Sequence, residues 1–215
     1  MASTITPRKA LDAAQEFVQG LPVDKDAIRL RIMDDAAKII WMAAPWRWSV
    51  GVMTLTQLAD DTDEVTISGG VPSDFLRLLW AGLISADQPQ DLIIVPALPD
   101  GVPFKGQVKR ITATTVSANT FRFFPVNTGF ATQPYLATAY KKKHTEITAA
   151  NEASASLVMD DEYYPVYEAF VLYYVFLYAE DPRAEGQFKI AFSLLEQMRQ
   201  QEPLVLNFFG EVQNG

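Results

Sequence analysis

The sequence predicts an α+β protein, in which a bundle of four main helices from the N- and C-terminal parts of the chain carries an inserted antiparallel β domain. Two segments at each end of the chain repeat apolar residues at helical spacing. The middle of the chain has short runs rich in β-branched and aromatic residues, separated by turn residues. Strands and helices do not alternate, which argues against a doubly wound parallel sheet. We therefore expect residues 1–46 and 146–203 to form the helical bundle, 47–145 the inserted β-rich domain, and 204–215 a C-terminal arm.

Two helices open the chain. The first is predicted over residues 7–19, where Thr6 can cap the helix and Gly20 can end it. The second is predicted over residues 25–43 and ends before Pro45, which cannot continue a helix. Each has an apolar stripe that has to be buried against other elements.

Trp46 and Trp48 follow the second helix directly. At a corner between a helix and a strand, tryptophans are most often buried, and the indole N–H then donates to a backbone acceptor. We therefore interpret both side chains as core residues. Docking of a partner protein is the alternative.

The middle of the chain has the composition of β-strands. Residues 117–119 are expected to form the short loop of an antiparallel hairpin. The predicted strands are residues 48–58, 64–68, 75–83, 91–95, 106–116, 120–124 and 135–142.

Two further helices are predicted after the β region. The first covers residues 164–179 and is strongly apolar, and the second covers residues 182–201 and is amphipathic. Because only a short link joins them, we expect the two to pack antiparallel. Residues 148–157 are small and polar, and they suit either a short helix or an ordered linker.

A nearly all-apolar arm follows the last helix. Termini fray unless they are tied down, so this arm needs a docking surface. One interpretation is that it folds back on its own domain; the other is that it adds to a neighbouring subunit, as an extra strand or as aromatic anchors. Its candidate partner-binding residues are Leu204, Val205, Leu206, Phe208 and Phe209.

Composition restricts the functions that are available. The chain has 215 residues, a net charge of −8, no Cys and one His. An acidic chain is poorly suited to gripping a nucleic-acid backbone, which requires Lys and Arg to displace counterions, but it suits a surface that DNA slides past. Without Cys there are no disulfides or thiolate metal sites.

We predict no catalytic residue, no metal site, no cofactor and no signal peptide, and the most apolar run, residues 169–179, is too short to span a membrane.

The remaining titratable groups form no obvious catalytic set. His144 follows three lysines and is expected to be a surface histidine rather than a general base. The acidic clusters at residues 34–35, 60–61 and 160–162 are expected to face solvent or helix N-termini, with a divalent-ion site as the alternative.

Lys141, Lys142 and Lys143 form the candidate basic patch. Runs of charged residues mostly lie on solvated faces, and successive residues of a strand point to opposite sides. The alternative is a local patch for an acidic partner protein or for passing DNA.

Four features in this order carry a resemblance to a known family. The opening helix pair ends in Ile39-Ile40-Trp41 and then Ala44-Pro45-Trp46-Arg47-Trp48-Ser49. A strand opens with Val71-Pro72-Ser73-Asp74-Phe75-Leu76-Arg77. The β region closes with Tyr135-Leu136-Ala137-Thr138-Ala139-Tyr140-Lys141, and a helix pair whose second helix has an acid- and amide-rich end follows it. In this order the chain resembles the head-to-tail adaptor proteins of tailed phages, in particular the tail tubular protein A type of short-tailed phages.

The resemblance implies a structural virion protein and not an enzyme. Such adaptors form a dodecameric ring beneath the portal protein, continue the DNA channel through which DNA ejection occurs, and provide the attachment site for the tail or nozzle protein. The implied location is the head–tail interface of the virion, after assembly in the host cytoplasm. DNA would pass the lumen without specific binding, and no membrane is involved. Two other hypotheses remain: a tail-completion or stopper protein, and a ligand-binding or hydrolytic domain with its site in the β insertion.

Overall fold

The computed structural model describes residues 6–18, 26–84, 90–98, 105–130, 132–154 and 163–201. The protein is α+β, as the sequence predicts, with four α-helices and several small sheets. It divides into two compact units. The described residues up to Trp48 and from His144 onward form a helical unit, and Ser49–Lys143 forms a β unit.

The helical unit contains all four α-helices. Thr6 caps the first helix as predicted, since its hydroxyl accepts a hydrogen bond from the backbone N–H of Lys9. This helix ends four residues earlier than predicted, because the backbone N–H groups of Phe17 and Val18 bond three residues back and close the last turn. The helices are α1 (Pro7–Gln15), α2 (Asp26–Ala43), α3 (Tyr164–Tyr178) and α4 (Ala184–Gln201), with a 3-10 turn at Arg47–Ser49.

α3 is the centre of the helical unit. It packs against α1, α2 and α4, which agrees with its apolar residues lying on every side of the helix. The Tyr167 hydroxyl is buried and donates to the backbone carbonyl of Met33 on α2, at 3.1 Å. All four helices contribute to one buried core, for example with Leu11, Ile32, Phe170 and Leu195.

Residues 148–154, the described part of the segment 148–157, contain no helix. Where it is described, to residue 154, the chain forms hydrogen-bonded turns. The Asn151 side chain stabilises them by accepting from the Thr148 N–H and donating to the Glu146 carbonyl.

The described residues of the β unit form eleven strands, most of them short. The predicted strand 48–58 is interrupted at residues 53–55, and the predicted strand 106–116 at residues 107–109, where Val108 turns into the core. The strands are β1 (Val50–Val52), β2 (Thr56–Gln57), β3 (Glu64–Thr66), β4 (Phe75–Ile84), β5 (Gln90–Asp91), β6 (Ile93–Val95), β7 (Lys105–Gly106), β8 (Arg110–Thr112), β9 (Thr120–Phe124), β10 (Val126–Asn127) and β11 (Tyr135–Lys142).

The largest sheet has the order β1-β11-β4-β5, with β2 also paired to β11. Along β11 the antiparallel ladder to β4 covers the whole strand. On its other side β11 pairs with β1, with Val50 opposite Lys141. Gly51 of β1 is required here, because a Cβ at this position would lie 2.4 Å from the ring of Tyr140.

The other two sheets correct the expectation of a purely antiparallel domain. One has the order β3-β9-β8-β6, and the other pairs β10 with β7. The pairs β6–β8 and β7–β10 are parallel. The sequence prediction assumed antiparallel pairing, whereas both of these pairs join strands that are not successive in the chain. The predicted hairpin at residues 117–119 is confirmed between β8 and β9, with Asn119 at a φ of 68°.

Ile40→Asp is expected to lower the free energy of unfolding by about 3–5 kcal/mol, because it places an unpaired charge in the core of the helical unit. Ile39 lies at the edge of that core and is half-buried, so Ile39→Asp should be less costly. Urea denaturation followed by circular dichroism measures both. Met42→Asp is the control, because this residue of the same helix is 64% exposed. Equal unfolding midpoints for the Ile40 and Met42 variants would contradict the position of α2 in the core.

Candidate interaction surfaces

α4 buries only a narrow stripe, which consists of Ala191, Leu195 and Met198. Its other apolar side chains stay in contact with water: Phe188 is 37% exposed and Phe192 is 43% exposed. Helix α4 therefore lies at the periphery of the unit and presents apolar side chains that its own packing does not cover.

Side chains from α3 and α4 combine into an aromatic ridge, which we define as Tyr173, Leu177, Phe188 and Phe192. The ring centroids of Phe188 and Phe192 lie 5.2 Å apart, and Tyr173 lies 5.1 Å from Phe188. Leu177, one turn after Tyr173 on α3, is 47% exposed. The rings are tilted against each other, by 53° between Tyr173 and Phe188 and by 46° between Phe188 and Phe192, and these contacts hold them in place although they remain accessible.

Charges beside the ridge are neutralised locally. Lys189 pairs with Glu185 at 2.7 Å, and Arg199 pairs with Glu196 at 2.8 Å, both along α4. Exposed pairs of this kind contribute little to stability, on the order of 0.3–0.5 kcal/mol. The ridge itself contains no charged side chain, so a partner could cover it without burying an unpaired charge.

An apolar groove with a volume of about 200 Å³ lies between α1 and α3. Phe17, at the end of the groove, is 61% exposed. Thus the helical unit has two different apolar surfaces, one convex and one concave. The groove is lined by Ala10, Ala13, Ala14, Phe17, Glu168, Ala169 and Leu172.

Asp34 holds the chain where it returns to the helical unit. One carboxylate oxygen accepts from His144 Nε2 at 2.8 Å and from the Ile147 N–H at 2.9 Å, and the other pairs with Lys38. His144 also lies edge-on to Trp41, with ring centroids 5.9 Å apart. The expectations of a surface His144 and a solvent-facing Asp34 are therefore wrong, because the two groups satisfy each other inside the unit.

The carboxyl group of Asp34 keeps its charge despite being only 6% exposed. Burial alone would raise its pKa, but hydrogen bonds from Lys38, the Ile147 N–H and His144 together lower the pKa below the ordinary value of 3.8. With three donors on its two oxygens, this carboxylate is suited to holding the chain in place, not to acting as an open general base.

Trp46, which follows α2, is a core residue, as predicted, whereas Trp48 is only partly buried against the same core. Trp46 is 2% exposed and its indole N–H donates to the Ile40 carbonyl. Trp48 stacks on Trp46 with ring centroids 5.4 Å apart and contacts Tyr163 on its other side. These contacts hold the chain where it leaves the helical unit.

The three lysines of the candidate basic patch lie in different environments. Lys141 is 5% exposed and donates to the Ser49 hydroxyl at 2.7 Å. Burial, together with the nearby Arg77, lowers the pKa of Lys141 to about 8. Lys142 is half-buried and Lys143 is exposed. Burial thus removes Lys141 from any surface patch.

The candidate arm residues Leu204, Val205, Leu206, Phe208 and Phe209, and the acidic cluster 160–162, lie outside the described residues. In the described part of the chain, no group of three or more His, Cys, Asp or Glu side chains could hold a metal ion. No helix in that part is long and apolar enough to cross a membrane.

Sequence reasoning missed the aromatic ridge. The sequence predicts an amphipathic last helix without showing which apolar residues stay uncovered, and the structure leaves Phe188 exposed. The sequence does contain a signal for the ridge. The apolar face of this helix is wider than one neighbouring helix can cover, because it includes Phe188, Ile190 and Phe192.

Comparison with known families decides the class of protein. The family model described as SU10 adaptor protein matches residues 10–206, which is most of the chain. The chain belongs to the SU10 adaptor protein family. This is a family of phage adaptors, so the resemblance to phage adaptor proteins is confirmed at that level. No curated protein matches the chain.

Asp34→Ala should lower the free energy of unfolding by about 1–3 kcal/mol near neutral pH, because the buried Ile147 N–H and His144 lose their acceptor. Because the pKa of Asp34 is lowered in the folded state, the direction of the pH dependence of stability is fixed. Asp34 stabilises the fold above its unfolded pKa, and this contribution is lost as the pH falls through the lower folded pKa. The variant should therefore lose less stability than the parent as the pH falls below about 4.

Urea denaturation over a pH series measures this effect. Asp35→Ala is the matched control, since the neighbouring Asp35 pairs with Arg31 at 3.5 Å and its side chain is 31% exposed. If the Asp34 and Asp35 variants gave the same pH profile, Asp34 would not be the residue that holds the returning chain.

Proposed function

We propose that the chain is a head-to-tail adaptor of the tail tubular protein A type, which forms a ring beneath the portal of a tailed phage. Membership of the SU10 adaptor protein family is the observation that carries this proposal. An adaptor family implies contacts with portal and tail proteins in general. In our proposal the ring is dodecameric, continues the DNA channel and provides the attachment site for the tail or nozzle protein, at the head–tail interface of the virion.

The surfaces of the helical unit support a ring. A closed ring of identical subunits needs two different surfaces on each subunit, one for each neighbour. The aromatic ridge and the groove between α1 and α3 are two apolar surfaces that differ in shape. We propose that the helices form a four-helix bundle around α3, that the β unit is its inserted domain, and that the arm residues Leu204–Phe209 contact a neighbouring chain or the portal.

The charge of the chain supports a DNA channel without specific binding. A net charge of −8 disfavours tight contact with phosphates. With Lys141 buried, the lysine run contributes fewer charges to the surface than its sequence suggests. We propose a purely structural role, without catalysis or cofactor. The alternative of a tail-completion or stopper protein fits less well, because we expect such a protein to be smaller and mostly β.

Deleting the residues after Pro203 is expected to leave the helical fold intact and to abolish ring formation or attachment to the portal. The reason is that the deleted segment carries four large apolar side chains within the five residues 205–209, each worth about 1.5–3 kcal/mol on full burial. Circular dichroism measures the fold, and electron microscopy of the chain mixed with candidate portal rings measures assembly. A truncated chain that still assembles on the portal would show that the arm only covers its own domain.

The full chain should not bind duplex DNA tightly at physiological salt. The acidic surface offers few cations to displace counterions from phosphates, and residual binding should weaken steeply with added salt. A gel-shift titration with random-sequence duplex measures this, and Lys142→Glu with Lys143→Glu tests the remaining lysines of the patch. Tight, salt-sensitive binding by the parent that the double variant loses would contradict a channel wall without DNA affinity.

A further inference from the structure

The aromatic ridge has an exposed apolar surface for which the described fold provides no cover. Phe188 contacts both Tyr173 and Phe192, yet Phe188 and Phe192 each remain more than a third exposed. The rings are held in position, so their binding surface is largely formed in advance and loses little side-chain entropy on docking.

We propose that the aromatic ridge is the docking site for the C-terminal arm, Leu204–Phe209, of a second copy of the chain. This inference rests on the proposed function in one respect, namely that the arm serves assembly between subunits. It names the surface that receives the arm.

The spacing of side chains on the two surfaces matches. On a helix, residues four apart lie on one face about 6 Å apart, as Phe188 and Phe192 do on α4 and Tyr173 and Leu177 do on α3. In an extended segment, residues two apart lie on one face about 6.6 Å apart. An extended arm can therefore place successive side chains of one face in successive gaps between the ridge side chains.

The two faces of such an arm are chemically different. Leu204, Leu206 and Phe208 make one face, which is entirely apolar, whereas Asn207 interrupts the other between Val205 and Phe209. We assign the Leu204, Leu206 and Phe208 face to the ridge. Residues 203–210 contain no charged side chain and neither does the ridge, so docking buries no unpaired charge.

The length of chain beyond α4 permits the arm to reach a neighbour. α4 ends at Gln201, and residues 202–209 can span up to about 26 Å when extended. Docking on its own ridge would require the arm to reverse at the end of α4, since Phe192 lies about 13 Å back along the helix. Such reversals favour Gly or Asn directly after the helix, and residues 202–206 contain neither. This is why we assign the arm to a second copy.

The first experiment measures contact between arm and ridge. A fluorescently labelled peptide of residues 202–215 is titrated into the full chain carrying Leu206→Asp and Phe208→Asp, whose own arm can no longer dock. We expect binding by anisotropy, weakened about tenfold or more by adding Phe188→Ser and Phe192→Ser, since two apolar contacts are lost. Ile190→Ser is the matched control, because Ile190 is 54% exposed on the opposite side of α4 and should leave binding unchanged. Absence of binding, or equal binding by the ridge variant and its control, would overturn the inference.

The second experiment tests whether the arm belongs to a second copy. The full-length ridge variant keeps its arm, and the full-length arm variant keeps its ridge. Neither should self-associate alone, whereas an equimolar mixture should form a one-to-one dimer, because only one productive interface is available. Native mass spectrometry measures this. Asn207→Asp, which places a charge on the other face of the arm, is the control and should assemble like the parent. If the mixture stays monomeric while the peptide binds, the arm docks on its own chain and the inference is wrong.

These outcomes are separate from those that test the proposed function. A parent chain that fails to attach to any portal, but whose arm binds the ridge of a second copy, contradicts the adaptor role and leaves this inference standing. If the parent chain forms rings on the portal and the ridge variant forms them equally well, this inference is wrong and the proposed function is unaffected.

Discussion

The Asp34 carboxylate joins the two chain segments of the helical unit, the one that ends at Trp48 and the one that begins at His144. It joins α2 to His144 and Ile147, the residues with which the chain re-enters the unit. At the departure point, Trp46 and Trp48 stack in the same core. Within the β unit, β1 and β11 pair with Val50 opposite Lys141, so the departing and returning segments are neighbours. An insertion whose ends are adjacent adds little loop-closure entropy to the fold of its host.

The position of each helix in the core determines what it can contribute to function. α3 contacts the other three helices and contributes mainly to the stability of the fold, since Tyr167, Phe170 and Val171 are fully buried. α4 buries three residues and leaves most of its circumference open. A protein of the SU10 adaptor protein family that joins other components needs such a division, since a surface that binds a partner cannot also be core.

Local chemistry made much of the fold predictable. The Thr6 cap, the buried Trp46 and the hairpin at residues 117–119 depend on near neighbours, and all three are present. Long-range pairing was not predictable in the same way. The parallel pairs β6–β8 and β7–β10 join strands that are not successive, and the buried contact of Asp34 with His144 spans 110 positions. Neither leaves a periodic trace in the sequence, because its partners are far apart along the chain.

The same distinction explains why the candidate site was only partly foreseen. The arm was recognised because a terminal apolar run is unusual by itself, whereas the ridge required knowing which side of α4 faces α3. Full exposure of a large apolar side chain costs about 1.5–3 kcal/mol relative to burial, and Phe188 and Phe192 bear part of that cost in the isolated chain. A partner that covers both would recover it without desolvating a charge. The exposed rings thus add less to the stability of the single chain than buried rings would, and they leave an apolar surface open to a partner.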